Sequence, residues 1–189
     1  MICIVCGEES GYVYHKPIDI ALSKTWKLSE GMINLFNRRE GSICKTCGSN
    51  IRAQGLAQAI LESKFGYGAL TLREWVKKAN RAKLKVLEMN ACHELHRVLA
   101  SLKYLTYAEY GTDTEEDIEK LSYPDKVYDL VLHSETLEHV NNPRQALDEC
   151  RRVLRSDGLV LFSTPILWSR KTITRARMEG SKINKILPA

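Results

Sequence analysis

Four of the six cysteines form two pairs with the spacing of metal ligands. Cys3 and Cys6 stand in CIVCG, and Cys44 and Cys47 stand in CKTCG, so a glycine closes each pair. Two intervening residues let both thiolates of a tight turn face one ion, and the glycine lets backbone N–H groups point at the sulfurs. The two pairs together predict one tetrahedral site with four thiolate ligands, and in a reducing compartment this spacing indicates structural zinc, not disulfides.

This predicted site should support the fold and carry out no reaction. Four thiolates fill the coordination sphere and leave no open position where water could be activated. Iron in a rubredoxin-like arrangement would use the same four ligands, so zinc is preferred only because it is more common.

A second group of candidate residues follows short apolar runs in the second half of the chain. Its members lie at the end of a run or just after it: Glu88 in KVLEM with Asn90 and Ala91 after it, Glu109 after LTYA, and Ser134 at the end of VYDLVLHS with Glu138 and His139 after it. An acid placed like Glu109, about 20 residues after the first loop, can accept hydrogen bonds from both hydroxyls of a ribose. This arrangement is typical of a site for a nucleoside-containing ligand.

The apolar periodicity predicts the elements that must position these residues. Short apolar runs predict strands at KVLEM, LTYAEYG, VYDLVLHS and LVLFSTP, and helical patterns lie between them at LHRVLASL and NPRQALDECRRVLRSDG, the latter ending at Gly158. Such alternation predicts an α/β fold, a mostly parallel sheet with helices on both faces. Ligands of such sheets bind beyond the carboxyl ends of the strands, where the polar residues fall.

The chain divides into four segments on this pattern. Residues 1–50 form the zinc module, with a helix starting near Ser29, and residues 51–81 form a helical connector. Residues 82–168 form the α/β core, and residues 169–189 form a basic tail that is expected to be poorly ordered. The net charge of +5 over 189 residues does not by itself indicate a nucleic-acid partner.

The core resembles a known family most specifically in YDLVLHSETLEHVNNPRQAL and the following ECRRVLRSDGLVLFSTP. From Val86 to Pro165 it is similar to class I S-adenosylmethionine-dependent methyltransferases of the small-molecule type. The resemblance implies a Rossmann-like sheet and S-adenosylmethionine as cofactor. It also implies the residues that bind this cofactor: Glu109 at the ribose, Asp117 and the backbone of Ile118 at the adenine amino group, Ser134 at the methionine portion, and Glu88, Asn90 and Ala91 in the first loop.

Two features depart from the family pattern. The family usually places alternating glycines after the first acid, whereas this chain has Asn90, Ala91 and Cys92 after Glu88. Asparagine tolerates the left-handed conformation and alanine adds only a methyl group, so the modified loop is expected to hold the cofactor. The family's sheet also continues with two strands that the sequence after Pro165 does not clearly encode, which would leave the preceding strand at an open edge that a second copy could cover.

Three functions agree with the sequence. The first is a methyltransferase whose unidentified acceptor is a small molecule, with His139 as the candidate base for a hydroxyl acceptor or, alternatively, as part of a structural turn. The second is an inactive or truncated methyltransferase-like protein that serves in binding or assembly. The third is an RNA methyltransferase that uses the zinc module for recognition, which is less favoured because the knuckles lack interleaved basic and aromatic residues.

Membrane contact is not expected from this sequence. No apolar run approaches the roughly 20 residues needed to cross a bilayer, and the first residues lack the layout of a signal peptide. The sequence therefore predicts a cytoplasmic protein.

Overall fold

Eight short strands and six helices occur in the part of the chain that the computed structural model describes, which is residues 2–9, 11–112, 116–166, 171–174, 176–179 and 182–186. The strands are β1 (Tyr12–Tyr14), β2 (Ser42–Cys44), β3 (Val86–Met89), β4 (Leu105–Ala108), β5 (Tyr128–Ser134), β6 (Leu154–Ser163), β7 (Ala176–Glu179) and β8 (Lys182–Lys185). The helices are α1 (Ile20–Thr25), α2 (Glu30–Gly41), α3 (Ile51–Glu62), α4 (Leu72–Arg81), α5 (His96–Leu99) and α6 (Pro143–Val153). None of these helices is long and apolar enough to span a membrane.

The central sheet has the order β4-β3-β5-β6, and all its strands are parallel. Alternate residues of β5 enter two different apolar clusters, since Leu130 and Leu132 pack in one and Val131 packs in the other. Apolar side chains therefore cover both faces of the sheet, as in a parallel sheet between two helical layers. The predicted α/β, Rossmann-like architecture is confirmed.

The N-terminal segment packs into the same core as the sheet. Cys3 and Cys44 belong to a buried cluster that also contains Leu56 of α3 and Leu130 of β5. The first turn of α4 is also tied to the first cysteine pair, because the Leu72 N–H donates to the carbonyl of Ile4 at 2.8 Å. Apolar residues from both sides of the predicted boundaries at residues 50 and 81 therefore lie in one cluster, and the boundary at residue 168 stays a prediction.

Side-chain caps define the starts of two predicted helices. The Ser29 hydroxyl accepts from the Met32 N–H at 3.3 Å at the start of α2, and the Asn50 side chain accepts from the Ala53 N–H at 2.8 Å at the start of α3. Each cap satisfies one of the backbone N–H groups that the first helical turn leaves unpaired. Both helices are confirmed.

The prediction that the sixth helix ends at Gly158 is wrong. Helix α6 ends at Val153, and Leu154 begins β6 by pairing with Tyr128 across a bulge. A Cβ on Gly158 would lie 2.7 Å from Leu154 Cδ2, so the glycine permits close approach of two parts of one strand instead of ending a helix. The helix predicted at LHRVLASL is also much shorter, with a 3-10 turn at His93–Leu95 followed by only the four residues of α5.

The last strand of the central sheet lies at its edge, as predicted. Among the described residues β6 pairs with β5 only, and the two later strands, β7 and β8, form a separate antiparallel hairpin. Because that hairpin is separate from the central sheet, the described residues after Pro165 add no further strand to the sheet. Arg170 and Arg175, which the sequence counts in the basic tail, lie outside the described residues.

Candidate active site and metal site

The four predicted metal ligands converge on one point. Their sulfur atoms all lie within 4.8 Å of one another, with Cys3 and Cys47 3.8 Å apart and Cys6 and Cys44 4.0 Å apart. A tetrahedral zinc ion with Zn–S bonds of about 2.3 Å requires S–S separations of about 3.8 Å. The donor set and its spacing therefore fit a single tetrahedral ion.

The two cysteine pairs have the same local geometry. Gly7 and Gly48 have φ angles of 79° and 78°, and their N–H groups donate to the carbonyls of Cys3 and Cys44 at 2.8 and 2.9 Å. These left-handed positions close each turn and explain why a glycine follows each pair. Ser49 adds a hydroxyl 3.1 Å from the sulfur of Cys47.

The loop after β3 turns through a left-handed residue although it lacks glycine. Asn90 has φ 56°, and its N–H donates to the carbonyl of Ala108 at 2.8 Å. Its side chain accepts from the Tyr110 N–H at 3.0 Å and donates to the Thr136 hydroxyl at 3.4 Å. Asn90 thus adopts the conformation that usually favours glycine and ties together the ends of three strands. Ala91, the next residue, is half-buried.

Glu88 is directed into the protein. It is fully buried, and its two carboxylate oxygens are each 2.8 Å from a nitrogen, one the backbone N–H of Cys92 and the other Nδ1 of His96. Burial, together with the charge of Glu88, raises the pKa of the Cys92 thiol. Glu88 therefore fixes the turn and the start of α5, and both its oxygens are already engaged by the protein.

Glu109 lies at the carboxyl end of β4 with one oxygen engaged. Its Oε2 accepts from the Tyr107 hydroxyl at 2.5 Å, and burial followed by this hydrogen bond raises the pKa of Tyr107. The Tyr107 ring is 4.3 Å from the ring of His96, which bonds to Glu88. No hydrogen-bond donor contacts the other oxygen, Oε1, in the described ranges, so one oxygen of Glu109 remains for a ligand.

Asp117 and Ile118 lie in the segment before β5 and differ in exposure. The Asp117 carboxylate is exposed and accepts from the Glu119 N–H at 2.8 Å. Ile118 is only 5% exposed and packs in the cluster that contains Leu87 and Met89. The pair thus offers an anchored backbone beside an accessible carboxylate.

Ser134 ends β5 in a buried polar contact with a residue that the sequence analysis did not identify. Its hydroxyl lies 2.7 Å from the Ser163 hydroxyl and accepts from Nη1 of Arg52 at 3.0 Å. Arg52 belongs to α3, and its side chain is only 10% exposed. The helix after the second cysteine pair therefore extends a guanidinium to the carboxyl edge of the sheet.

Two carboxylates balance the buried charge of Arg52. Its Nε lies 3.1 and 3.2 Å from the two oxygens of Glu40, and its Nη1 lies 3.8 Å from Glu135. Burial alone would raise the pKa of Glu40, but the contacts with Arg52 and Arg39 outweigh it and lower this pKa. A cation in the first turn of a helix opposes the helix dipole. Arg52 is the second residue after the Asn50 cap. This unfavourable position for a cation is the one feature of the sequence that points to Arg52.

His139 does not join this buried group. Its side chain is 77% exposed, and its Nε2 is 3.9 Å from Glu138. Burial raises the pKa of Glu138, whose carboxylate accepts from the Thr164 hydroxyl at 3.4 Å. Glu138 is therefore the more enclosed of the two groups, and the role of His139 as a base stays a prediction.

Backbone strain and an unpaired polar side chain also occur at this edge. Asn90, His93 and Glu135 all have positive φ, and such residues often cluster at functional sites. His133, on β5, is fully buried and stacks on Phe162 at 4.9 Å, and neither ring nitrogen has a hydrogen-bond partner among the described residues. Burial lowers the pKa of His133 to about 4, so the ring is neutral in the folded protein.

Several known proteins are similar to this chain over part of their length. The ubiquinone biosynthesis O-methyltransferase of Colwellia psychrerythraea is 28% identical over 142 residues, which is 75% of this chain and 48% of that protein. The chain therefore spans about half the length of this curated relative. The YcgJ protein from Bacillus subtilis is 21% identical and matches 48% of each chain with a TM-score of 0.34. The methyltransferase CalH, in complex with SAH, is 16% identical and matches 59% of this chain and 44% of that chain, with a TM-score of 0.39.

The family model described as a methyltransferase domain matches residues 65–162, slightly more than half of the chain. This match includes β3 to β5, helix α6, nearly all of β6 and every residue predicted to bind the cofactor. The chain therefore belongs to the methyltransferase domain family.

Proposed function

We propose that the chain is an S-adenosylmethionine-dependent methyltransferase whose acceptor, a small molecule, is still unidentified. The observation that carries the proposal is the left-handed turn at Asn90, which joins the ends of β3, β4 and the segment after β5. Family membership supports the same class of reaction. The missing glycines therefore do not remove the backbone geometry that the loop requires.

The polar groups at the sheet edge suit the parts of the cofactor. Glu109 keeps one oxygen for a ribose hydroxyl, and the exposed carboxylate of Asp117, beside Ile118, suits the adenine amino group. Ser134 and the guanidinium of Arg52 suit the methionine portion, where Arg52, although Glu40 and Glu135 already balance its charge, could donate a hydrogen bond to a carboxylate. When bound, S-adenosylmethionine would supply an electrophilic methyl group on a sulfonium centre.

Positioning accounts for most of what the protein must contribute. An in-line displacement is accelerated by holding the nucleophile in place and by excluding water around the charge. The contacts of Ser134 with Arg52 and with Ser163 provide a rigid, poorly solvated platform at the strand ends. A hydroxyl acceptor would also need a base, and His139 and Glu138 are the candidates beside this platform.

We also propose that the four cysteines hold a structural zinc ion. The proposal rests on the fit of the four sulfurs to one tetrahedral ion and on their place in the core that contains β5. The ion would fix the start of α3, because the Asn50 cap and Arg52 directly follow the second cysteine pair.

A second candidate function is a methyltransferase-like binding or assembly subunit. Three contacts favour it: Tyr107 occupies one oxygen of Glu109, Glu88 has no free oxygen, and Arg52 lies against Ser134. In this case a second copy pairing at the open edge of β6 would be a natural assembly contact.

Calorimetric titration of the zinc-loaded protein with S-adenosylmethionine and S-adenosylhomocysteine separates the two functions. The proposed methyltransferase should bind both in the micromolar range, and Glu109→Ala should weaken binding at least about tenfold because it removes the ribose acceptor. Tyr107→Phe is the matched variant, since it keeps the carboxylate of Glu109 and frees its second oxygen. Its affinity should equal or exceed that of the wild type.

Two results would reject the methyltransferase proposal. One is the absence of detectable binding by protein that is folded and carries its metal. The other is an affinity that Glu109→Ala leaves unchanged, which would place any bound cofactor elsewhere. Either result would favour the binding or assembly function.

A further inference from the structure

A basic groove lies between α4 and α5, away from the residues assigned to the cofactor. Its volume is about 410 Å³, and three cationic side chains, Arg73, Lys77 and Arg97, contribute to its lining. Asn80 and Ser101 also line it and join its two sides, because the Asn80 side chain donates to the Ser101 carbonyl at 3.0 Å. The groove is therefore a fixed feature of the packing of these helices.

The charge of this region is strongly one-sided. Residues 71–104 contain eight Lys or Arg against three Asp or Glu, an excess equal to the net charge of +5 of the whole chain. All three acids are already engaged: Glu74 pairs with Lys78, Glu94 pairs with Arg97, and Glu88 is fully buried. Outside this range Glu8 pairs with Arg73, so most but not all of the excess positive charge faces solvent without an acidic partner.

Several of these cations form a row. Arg73, Lys77 and Arg81 recur every four residues on α4, so they share one side of the helix over about 12 Å. Lys103 lies beside the end of the row, because its backbone N–H donates at 2.7 Å to the side chain of Asn80, the residue before Arg81. Within the described ranges Lys77, Arg81 and Lys103 are exposed and make no ion pair.

The two ion pairs that border the groove are weak competitors for an anionic ligand. Arg73 pairs with Glu8 at 3.3 Å and Arg97 pairs with Glu94 at 3.0 Å, and the two arginine side chains are 54% and 74% exposed. Exposed pairs of this kind contribute little free energy, so an incoming phosphate can replace them.

We propose that this groove binds the sugar-phosphate backbone of a single-stranded nucleic acid. A row of evenly spaced cations suits a linear polyanion, and Tyr104, 40% exposed beside Lys103, offers a ring on which a base can stack. A membrane surface fits less well, since Leu72 and Trp75 of α4 are fully buried and the exposed Leu70 before the helix is a single apolar side chain. Binding of this kind would not require methyl transfer.

One end of the groove lies close to the cysteine cluster and to the loop after β3. The Arg97 side of the groove reaches Glu94, in the loop that follows β3, and Glu94 lies against Gly48 of the second cysteine pair. A strand held along α4 would therefore end near both the metal cluster and the carboxyl edge of the sheet. Recognition would come from α4 and α5, and the cysteine pairs would only support them.

Fluorescence anisotropy with a labelled single-stranded RNA of mixed sequence tests the proposal. The full-length, zinc-loaded protein is titrated at several salt concentrations, together with the triple variant Lys77→Ala, Arg81→Ala, Lys103→Ala. The matched control is Lys16→Ala, Lys24→Ala, Arg144→Ala, which removes the same charge from exposed positions outside the groove. A single-stranded DNA of the same sequence shows whether the sugar matters.

The triple variant of Lys77, Arg81 and Lys103 should bind at least about tenfold more weakly than the wild type at about 0.1 M salt. The negative slope of log K against log salt should become less steep by about 2. The control should stay within about twofold of the wild type. All six positions are exposed, so both variants should keep the wild-type melting midpoint; if the triple variant does not fold, Lys77→Glu alone should weaken binding in the same direction.

Three outcomes would overturn the proposal. The first is no RNA or DNA binding by the wild type even at low salt. The second is an equal loss in the groove and control variants, which would indicate a response to net charge alone. The third is binding to anionic phospholipid vesicles without binding to either nucleic acid, which would make the groove a membrane-facing surface.

Discussion

The cysteine cluster and the cofactor edge of the sheet differ in how their geometry is built. In the cluster, each pair of ligands is set by a turn of a few residues, and Gly7 and Gly48 supply the required left-handed backbone. At the edge, Asn90 reaches the same backbone region only with contacts from β4 and from the segment after β5. The first geometry is local and the second depends on the assembled fold, so the two regions should respond differently to substitution.

The largest expected effect is the loss of a cysteine ligand. Cys44→Ser should remove the metal and lower the thermal midpoint by more than about 10 °C, because structural metal binding contributes directly to folding and Cys44 packs in the core with β5. Metal content per chain and a thermal melt measure both effects.

The control for this prediction is Cys92→Ser, a substitution at a cysteine that is equally buried but lies outside the cluster. It should keep one metal ion per chain. If Cys44→Ser keeps its metal, or melts no lower than Cys92→Ser, the cluster is not the local anchor that its geometry indicates.

The difference between the two regions also explains what could be predicted from sequence. The ligands Cys3, Cys6, Cys44 and Cys47 were identified because their spacing alone brings them together, and the strands were identified from short apolar runs. Arg52 was missed because its partners Ser134 and Glu135 are more than 80 residues away.

The internal engagement of the acids was also beyond sequence patterns. Glu88 lies within β3 and Glu109 directly after β4, but nothing in the chain order shows that His96 and Tyr107 bind them. The end of α6 was misplaced for a similar reason, since it depends on Leu154 pairing with Tyr128. The partners of these acids and the end of α6 are thus set by contacts between elements, which local sequence patterns do not contain.

A smaller effect is expected at His133, a buried polar group at the edge that has no counterpart in the cluster. Burial lowers its pKa to about 4, so the unfolded chain, with an ordinary histidine, binds the proton first as the pH falls. Protonation of His133 should therefore leave the free energy of unfolding unchanged above about pH 6.5 and should lower it by about 3 kcal/mol between there and pH 4.

His133→Phe should remove this contribution while keeping a ring against Phe162. Urea unfolding at several pH values should then show a flatter decline for the variant than for the wild type. His139→Phe, at a position that is 77% exposed, serves as the control and should follow the wild type. An identical pH dependence for wild type and His133→Phe would mean that the buried ring has a partner when the protein is in solution.

The smallest effect is expected from exchanging asparagine and glycine at the left-handed position of each region. Asn90→Gly relieves a left-handed side chain but loses the hydrogen bonds to the Tyr110 N–H and the Thr136 hydroxyl, so it should destabilise the protein by only about 1 kcal/mol. The reverse change, Gly48→Asn, should cost more, because a Cβ there would lie 3.3 Å from the side chain of Glu94 and an asparagine, unlike glycine, is strained at a φ of 78°. Urea unfolding of both variants measures the difference. An equal loss of stability in both variants would show that the geometry of the edge is set as locally as that of the cluster. A gain in cofactor affinity for Asn90→Gly would show that the Asn90 side chain narrows the approach to Glu109.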